Sequence, residues 1–511
     1  MTTTLKDLLA AGADASPALS APGRPALSHG ELRALIQRTL DTLNRLGIGR
    51  NDRVAIVLNN GPEMAACYMA CASGVTSAPL NPAYRADEFE FYLSDLNAKA
   101  LIVEQASTSP AIDVATKLGV RLIDLVVADG APAGAFTLVP RDGQGAAPAA
   151  HPGYAQADDV SMVLHTSGTT SRPKIVPLSQ RNLAASATHI RNTLQFTAAD
   201  CGLNIMPLFH IHGLIAGVLA PLAAGSQVFC TPGFNALKFF SWMDEAHPTW
   251  YTAVPTMHQA IVSRASKNAD VIARHPLRFL RSSSSSMPPQ VIKELEATFH
   301  APLIESYGMT EATHQMASNP LPPALRKPGT VGKAAGPEVA IMAEDGTLLP
   351  RGTGLENTGE IVIRGPNVTA GYENNPKANA EGFLNGWFRT GDQGVMDEDG
   401  YISITGRLKE IINRGGEKVS PREVDEILMD HPGVAQVVCF GMPHAKLGEE
   451  VAAVVVLREG QQATERELQT FVGARAADYK VPKKILFMDE IPKGATGKLQ
   501  RIGLAQKLGL G

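Results

Sequence analysis

Positive charge is not in excess in this chain: 46 lysines and arginines stand against 50 aspartates and glutamates, a net charge of −4 over 511 residues. That balance excludes the basic field with which a nucleic-acid binder holds a phosphate backbone. Long hydrophobic runs are missing as well, and a bilayer span needs about 18 apolar residues in succession. Residues 1–9 lack the basic stretch and apolar core of a secretory leader. The final Leu508-Gly509-Leu510-Gly511 differs from a peroxisomal Ser-Lys-Leu address. Cysteine is sparse. Cys67 and Cys71 can share a helix face, yet neither they nor Cys201, Cys230 and Cys439 have the neighbouring Cys or His pair that completes a zinc set. All five are expected as buried thiols, and a reducing cytoplasm is the expected compartment.

What is present is an ordinary globular balance, 44% apolar and 19% charged. At roughly 100–200 residues per domain the length calls for several domains. The first 330 residues alternate short apolar runs with helical patterns. Residues 54–58 read as a buried strand, and Met64, Cys67, Tyr68 and Cys71 follow the spacing of an amphipathic helix. Phe89, Tyr92, Leu93 and Leu96 repeat that spacing before a strand at 101–103. Further strands are expected at 160–165, 203–206, 227–230 and 250–254. This alternation predicts an α/β fold layered on a mostly parallel sheet. Residues 336–405 read as a β-rich subdomain with hairpin turns at Asp345-Gly346 and Asp399-Gly400. The expected domains are 1–408 and 409–511. The second has its own helix start, in which Ser420 caps, Pro421 takes the first helical position and Glu423 completes a capping box. Strands are expected there at 434–440 and 452–457, and loops at 127–153 and 318–330. No internal repeat is visible.

The stretch Thr166-Ser167-Gly168-Thr169-Thr170-Ser171-Arg172-Pro173-Lys174 is dense in hydroxyls. Amides and hydroxyls of such a loop cradle phosphate oxygens, and the lysine adds a charge. The Walker A spacing is absent. Ser171-Arg172-Pro173-Lys174 fits the S-x-x-K of penicillin-recognising enzymes, but S-D-N and K-T-G are missing and Pro173 disturbs the helical turn that motif requires. Six polar turns complete the series: Pro207-Leu208-Phe209-His210 with Gly213; 282–286 with Met287-Pro288-Pro289; Tyr307-Gly308-Met309-Thr310-Glu311; Trp387-Phe388-Arg389-Thr390-Gly391-Asp392; Gly406-Arg407-Leu408-Lys409-Glu410; and Lys493-Gly494-Ala495-Thr496-Gly497-Lys498.

In this order and spacing, over roughly residues 30–505, they resemble the adenylate-forming superfamily of acyl-CoA synthetases, peptide-synthetase adenylation domains and luciferases. The resemblance implies a large N-terminal layered α/β domain with a β-barrel-like subdomain, plus a small mobile C-terminal α+β domain. It implies ATP and Mg²⁺, with coenzyme A as co-substrate. By the same resemblance Thr166, Ser167, Gly168, Thr169, Thr170 and Lys174 hold the β- and γ-phosphates, although Ser171, Arg172 and Ile175 depart from the usual string. Ser283, Ser284, Ser285, Tyr307 and Gly308 form the adenine site. Thr310 lies near the α-phosphate and Glu311 helps hold the metal. Asp392 takes the ribose hydroxyls, where two acceptor oxygens suit a vicinal diol, and Arg407 joins it. Lys409 is the hinge, Gly415 and Gly416 flank the pantetheine path, and Lys498 enters for adenylation.

The strings from His165 to Lys174, Phe209-His210-Ile211-His212-Gly213, Pro248-Thr249-Trp250-Tyr251-Thr252-Ala253-Val254-Pro255-Thr256 and Thr310-Glu311-Ala312-Thr313-His314-Gln315-Met316 are similar to those of the oxalate–CoA ligases of plants and yeast. The similarity implies a small dianionic acid whose second carboxylate is costly to bury against apolar walls. His210, also counted with the catalytic group, Ser285 and His314 are the expected partners of that acid. Arg281 is an alternative anion partner and leaves malonate or another short- or medium-chain acid open. A luciferase-like oxygenase and a stand-alone adenylation protein are the alternatives from other classes. The expected partners are small molecules, with neither nucleic acid nor membrane, and the expected state is a monomer or homodimer.

Overall fold

The computed structural model describes residues 2–143, 147–166, 173–492 and 501–511. Two large sheets stand where strand–helix alternation alone predicts one. In the seven-stranded sheet, Arg53–Val57 lies between Thr76–Pro79 and Ala100–Glu104, all parallel, with Arg121–Val126 following. Antiparallel strands Thr137–Pro140 and Lys174–Ser179 close its two edges. The first of these corrects the loop expected over 127–153. The nine-stranded sheet is built around Gln227–Cys230, Cys201–Asn204, Trp250–Ala253, Phe279–Ser282 and Leu303–Met309, again parallel, and His314–Ser318 continues it antiparallel. Near-continuous apolar runs suit strands covered on both faces.

The helix Pro62–Ala72 is the clearest departure from periodicity. Its spacing predicts an amphipathic helix, yet every residue from Met64 to Ala72 is buried. It touches strands of both large sheets and the helix His29–Arg45. A helix enclosed on all sides has no polar face to present, and its alanines and cysteines allow that close approach. All five cysteines are free and buried. Among the described residues no helix is long and apolar enough to cross a membrane.

Strands Glu338–Met342, Gly359–Arg364, Phe383–Leu384, Trp387–Met396 and Ile402–Arg407 form an antiparallel sheet. Asp399-Gly400 does turn one hairpin, with Gly400 at φ +86°. Asp345-Gly346 closes only an isolated bridge between Met342 and Leu348, because Glu338–Met342 pairs instead with the distant Gly359–Arg364.

Residues 412–487 supply a further five-stranded sheet, which includes the hairpin Val434–His444 with Gly448–Leu457. The helices Pro421–Met429 and Glu465–Gly473 share a core with it, centred on Val424, Leu428, Val451, Leu468 and Val472. Pro421 occupies the helix start with Ser420 as N-cap, but the capping box does not form. The Ser420 hydroxyl donates to the Thr405 carbonyl on the neighbouring sheet. Glu423 takes the Lys480 ammonium at 2.6 Å, a stronger partner than a backbone amide.

Candidate active site

Open α/β sheets present their ligand sites beyond the carboxyl ends of parallel strands, and Ser283, Ser284 and Ser285 directly follow Phe279–Ser282 as Thr310 and Glu311 directly follow Leu303–Met309. Val160–Thr166 and Lys174–Ser179 pair with Thr166 opposite Lys174, which closes the base of the hydroxyl-rich loop. Ser167, Gly168, Thr169 and Thr170 lie outside the described residues, as does Lys498. Lys174 Nζ sits 4.4 Å from the ring centre of Tyr372, a cation–π distance. The Tyr372 hydroxyl in turn donates to Glu311 Oε1 at 2.9 Å.

That chain of contacts has a scaffold. The Thr369 amide donates to the Glu311 carbonyl at 2.8 Å, its hydroxyl to the Pro177 carbonyl at 2.8 Å, and the Glu373 amide to the Ile175 carbonyl at 3.1 Å. Segment 369–373 thus ties the strand Lys174–Ser179 to the 3₁₀ turn Thr310–Ala312, which carries Thr310 and Glu311. Burial pushes the Glu311 carboxyl up, against the Tyr372 hydroxyl and the Lys174 charge, which pull it down. Among the described residues no group of three His, Cys, Asp or Glu side chains forms a metal cage. A single buried carboxylate nevertheless fits Mg²⁺, which is commonly held by one or two carboxylates together with substrate phosphates.

Asp392, expected to take the ribose, is buried beside a left-handed Gly391 (φ +75°). Its Oδ1 accepts from Arg407 Nε at 2.8 Å, and its Oδ2 accepts from the Tyr307 hydroxyl. Asp392 faces Arg407 across antiparallel strands, and its charge holds the guanidinium firmly protonated. Each carboxylate oxygen keeps a second lone pair in the plane for a further donor. Ser283 is fully buried and donates its hydroxyl to the Ser306 carbonyl at 3.0 Å. Ser285 is exposed and lines the cleft between Val254 and Met287 on one side and Arg422 and Gln436 on the other. Gly308 is required by close approach: a Cβ there would lie 1.9 Å from the His314 carbonyl oxygen.

A buried cluster around Arg281, expected as an alternative anion partner, includes His314. Arg281 is fully buried at 0% exposure. Its Nη1 donates to His212 Nε2 at 3.3 Å and Thr252 Oγ1 at 3.4 Å; its Nη2 donates to His314 Nε2 at 3.1 Å and Gln315 Oε1 at 3.4 Å. The His212 and His314 rings stack at 4.8 Å and 20°. Among the described residues Nε of Arg281 has no hydrogen-bond partner. Burial alone pushes the guanidinium down to about 9, so it remains charged at neutral pH. His212 Nδ1 lies 3.1 Å from the hydroxyl of Ser284, itself held in the left-handed region at φ +72°. Non-glycine residues in that region cluster at ligand sites.

Sequence reasoning singled out His314 and weighed Arg281 only as an alternative; it passed over His212, Thr252 and Tyr372. His210 accepts the His212 backbone amide at Nδ1, 3.3 Å away. The repeat Phe209-His210-Ile211-His212 held the missing signal, because the π-helix His212–Leu219 begins at the second histidine and buries it. Tyr372 carries no motif of its own. Farther out, exposed Lys409 sits in the turn after Ile402–Arg407. Gly415 and Gly416, both at positive φ, make the two-residue turn between Ile412–Arg414 and Glu417–Val419. Arg501, three residues beyond Lys498, pairs with Asp425 at 2.9 Å and Glu410 at 3.1 Å.

Comparison with known proteins agrees with this geometry. The family described as "AMP-binding enzyme" matches residues 10–373, and "AMP-binding enzyme C-terminal domain" matches residues 423–498. The chain is 45% identical to an oxalate–CoA ligase of Arabidopsis thaliana, covering 96% of this chain and 95% of that one. It is 40% identical to an oxalate–CoA ligase of Saccharomyces cerevisiae, covering 89% and 87%. Among solved structures, ATP-bound MatB from Rhodopseudomonas palustris superposes with a TM-score of 0.87 at 30% identity over 99% of both chains.

Proposed function

This chain belongs to the AMP-binding enzyme family and is an ATP-dependent acid–CoA ligase; from that premise we propose that its acid is oxalate. The observation that carries the reading is Arg281, a buried cation whose contacts are imidazole, hydroxyl and amide groups. A dianion that spends one carboxylate in the reaction still brings a second charge, whose burial is costly without a counter-ion and donors. An aliphatic or aromatic tail gains nothing from such a wall.

In the reaction, an oxygen of one oxalate carboxylate attacks the α-phosphorus of ATP. A P–O bond forms, the bond to the bridging oxygen breaks, and pyrophosphate leaves. Lys174 and the loop 166–174 take the departing phosphates, while Thr310 stands at the α-phosphate. Asp392, Tyr307 and Arg407 hold the ribose. Glu311 is the residue that would hold Mg²⁺, which when bound supplies positive charge to the phosphates. Lys498 offsets the repulsion between the two reacting anions. The segment 409–511 then turns about Lys409, withdraws Lys498, and brings Gly415 and Gly416 to the pantetheine arm. The thiolate of coenzyme A attacks the acyl carbon, a C–S bond forms, and AMP departs. Five buried free thiols suit a reducing compartment, and we place the enzyme in the cytoplasm.

The test is an ATP- and CoA-dependent AMP-release assay with oxalate, malonate, acetate, octanoate and benzoate. The expected result is a kcat/KM for oxalate at least about tenfold above the others, or ~1.4 kcal/mol of preferential transition-state binding. If oxalate is not among the best substrates, the assignment of the acid fails.

A further inference from the structure

The Arg281 cluster imposes a constraint on its histidines that follows from donor chemistry alone. A guanidinium has five N–H donors and no acceptor. Both His212 Nε2 and His314 Nε2 lie within 3.3 Å of its terminal nitrogens. Each Nε2 must therefore offer a lone pair. A neutral imidazole has one donor and one acceptor nitrogen, so the proton of each ring is on Nδ1. Protonating either ring would set an Nε2–H against an Arg281 N–H and add a second charge beside a buried one. It would also charge one of two rings stacked at 4.8 Å. Thr252 Oγ1, 2.7 Å from His212 Nε2, has the hydroxyl to donate to the same lone pair.

We propose that Arg281 is a positioning residue that locks His212 and His314 as neutral Nδ1–H tautomers, so that the His212 N–H fixes the Ser284 hydroxyl as a donor to the acid's second carboxylate and the His314 N–H lies on the Gly308 side of the site. From His212 the donor direction passes on: Nδ1–H donates to Ser284 Oγ at 3.1 Å, which leaves the serine hydrogen to point onward. Ser284 itself is in the left-handed region, at φ +72°. On His314, Nδ1 lies 3.1 Å from where a Gly308 Cβ would stand, which puts this nitrogen on the Gly308 side of the ring. In the opposite tautomer of His212 the Ser284 hydroxyl would turn its hydrogen to Nδ1 and offer the acid a lone pair, which repels a carboxylate. Selection of a dianion thus begins at a residue behind the histidines. The role in acid binding rests on the oxalate reading; the tautomers do not.

The test uses the full-length chain with ¹⁵N-labelled histidine. Long-range ¹H–¹⁵N spectra of the ligand-free protein report which ring nitrogen carries the proton, and His212→Gln and His314→Gln assign the two among the 13 histidines. Both rings are expected as Nδ1–H across neutral pH. In Arg281→Met both signals should move to mixed tautomers, and the oxalate KM should rise roughly 10–100-fold, the loss expected for charge-assisted hydrogen bonds. The ATP KM should rise less than the oxalate KM, since the cluster reaches the expected adenine-side residues Ser284 and Gly308 only through His212 and His314. Arg281→Lys, which keeps charge and a donor, should restore part of both readouts and serves where the methionine variant fails to fold. An Nε2–H signal from either wild-type ring overturns the lock. Tautomers as stated, with an oxalate KM unmoved in both variants, overturn the role in acid binding. If the acid screen favours a different acid, the spectra still decide the lock.

Discussion

Replacing Tyr372 by phenylalanine removes one oxygen and leaves the ring under Lys174. That oxygen donates to Glu311 Oε1 at 2.9 Å. A hydrogen bond to an ionised group contributes about 1.5–3 kcal/mol, and one pH unit corresponds to about 1.4 kcal/mol. The Glu311 carboxyl is already pushed up by burial, and the tyrosine hydroxyl is among the groups opposing that push. Its loss should therefore raise the carboxyl further. If ionised Glu311 is the working form, the acid limb of the kcat/KM profile moves to higher pH, with little change on the alkaline side. Lys174 keeps its aromatic partner at 4.4 Å, so the phosphate-side charge should stay in position. Oxalate-dependent AMP release across about pH 5–9 reads the shift directly. An acid limb that stays in place while the plateau falls would show that the hydroxyl does not act through Glu311.

Three further outcomes follow from the same geometry. Glu305 is buried, accepts the Gly329 amide at 3.0 Å, and is pushed up to about 8 from 4.5 by burial in spite of Arg422 and Arg326. Folding takes up a proton there, so its stabilising contribution is whole below 4.5 and is lost as pH rises through 8; Glu305→Gln should flatten the decline in Tm over that window, by the equivalent of a few kcal/mol, and a parallel decline in both proteins would refute the assignment. Gly308→Ala places a Cβ 1.9 Å from the His314 carbonyl, so the pairing of Leu303–Met309 with His314–Ser318 must shift; oxalate turnover should fall at least about tenfold, and near-wild-type turnover would contradict the close approach. Lys498→Ala should slow adenylate formation by about 10²–10³ and spare thioester formation from preformed acyl-adenylate, a split that comparable losses in both half-reactions would rule out.

Local chemistry made much of the architecture readable. The apolar runs at 54–58, 101–103, 227–230 and 250–254 fall on strands within a residue of their expected limits. Pro421 begins its helix and Asp399-Gly400 turns its hairpin, because both signals act through their own backbone angles. Three local readings failed where a distant partner competed. Ser420 gave its hydroxyl to Thr405, Asp345-Gly346 lost its hairpin to the pairing of Glu338–Met342 with Gly359–Arg364, and the helix Pro62–Ala72 lost its solvent face to a second sheet that periodicity does not reveal. The candidate site divides the same way. Asp392 and Arg407 were legible as a pair within one motif series, and the structure joins them across a hairpin. Tyr372 was silent, since a tyrosine in a turn has no spacing that marks what its hydroxyl touches.

The order of the polar turns along the chain was by itself sufficient to determine the family and the class of reaction, because each turn is a short backbone device whose residues are neighbours in sequence. Only the tertiary structure decided that Arg281 lies behind His212 and His314, with Thr252 and Gln315 completing its contacts. Those residues come from separate elements brought together by sheet pairing and helix packing. The state of a buried charge depends on which donors and acceptors surround it within about 3 Å, and linear spacing holds no record of that.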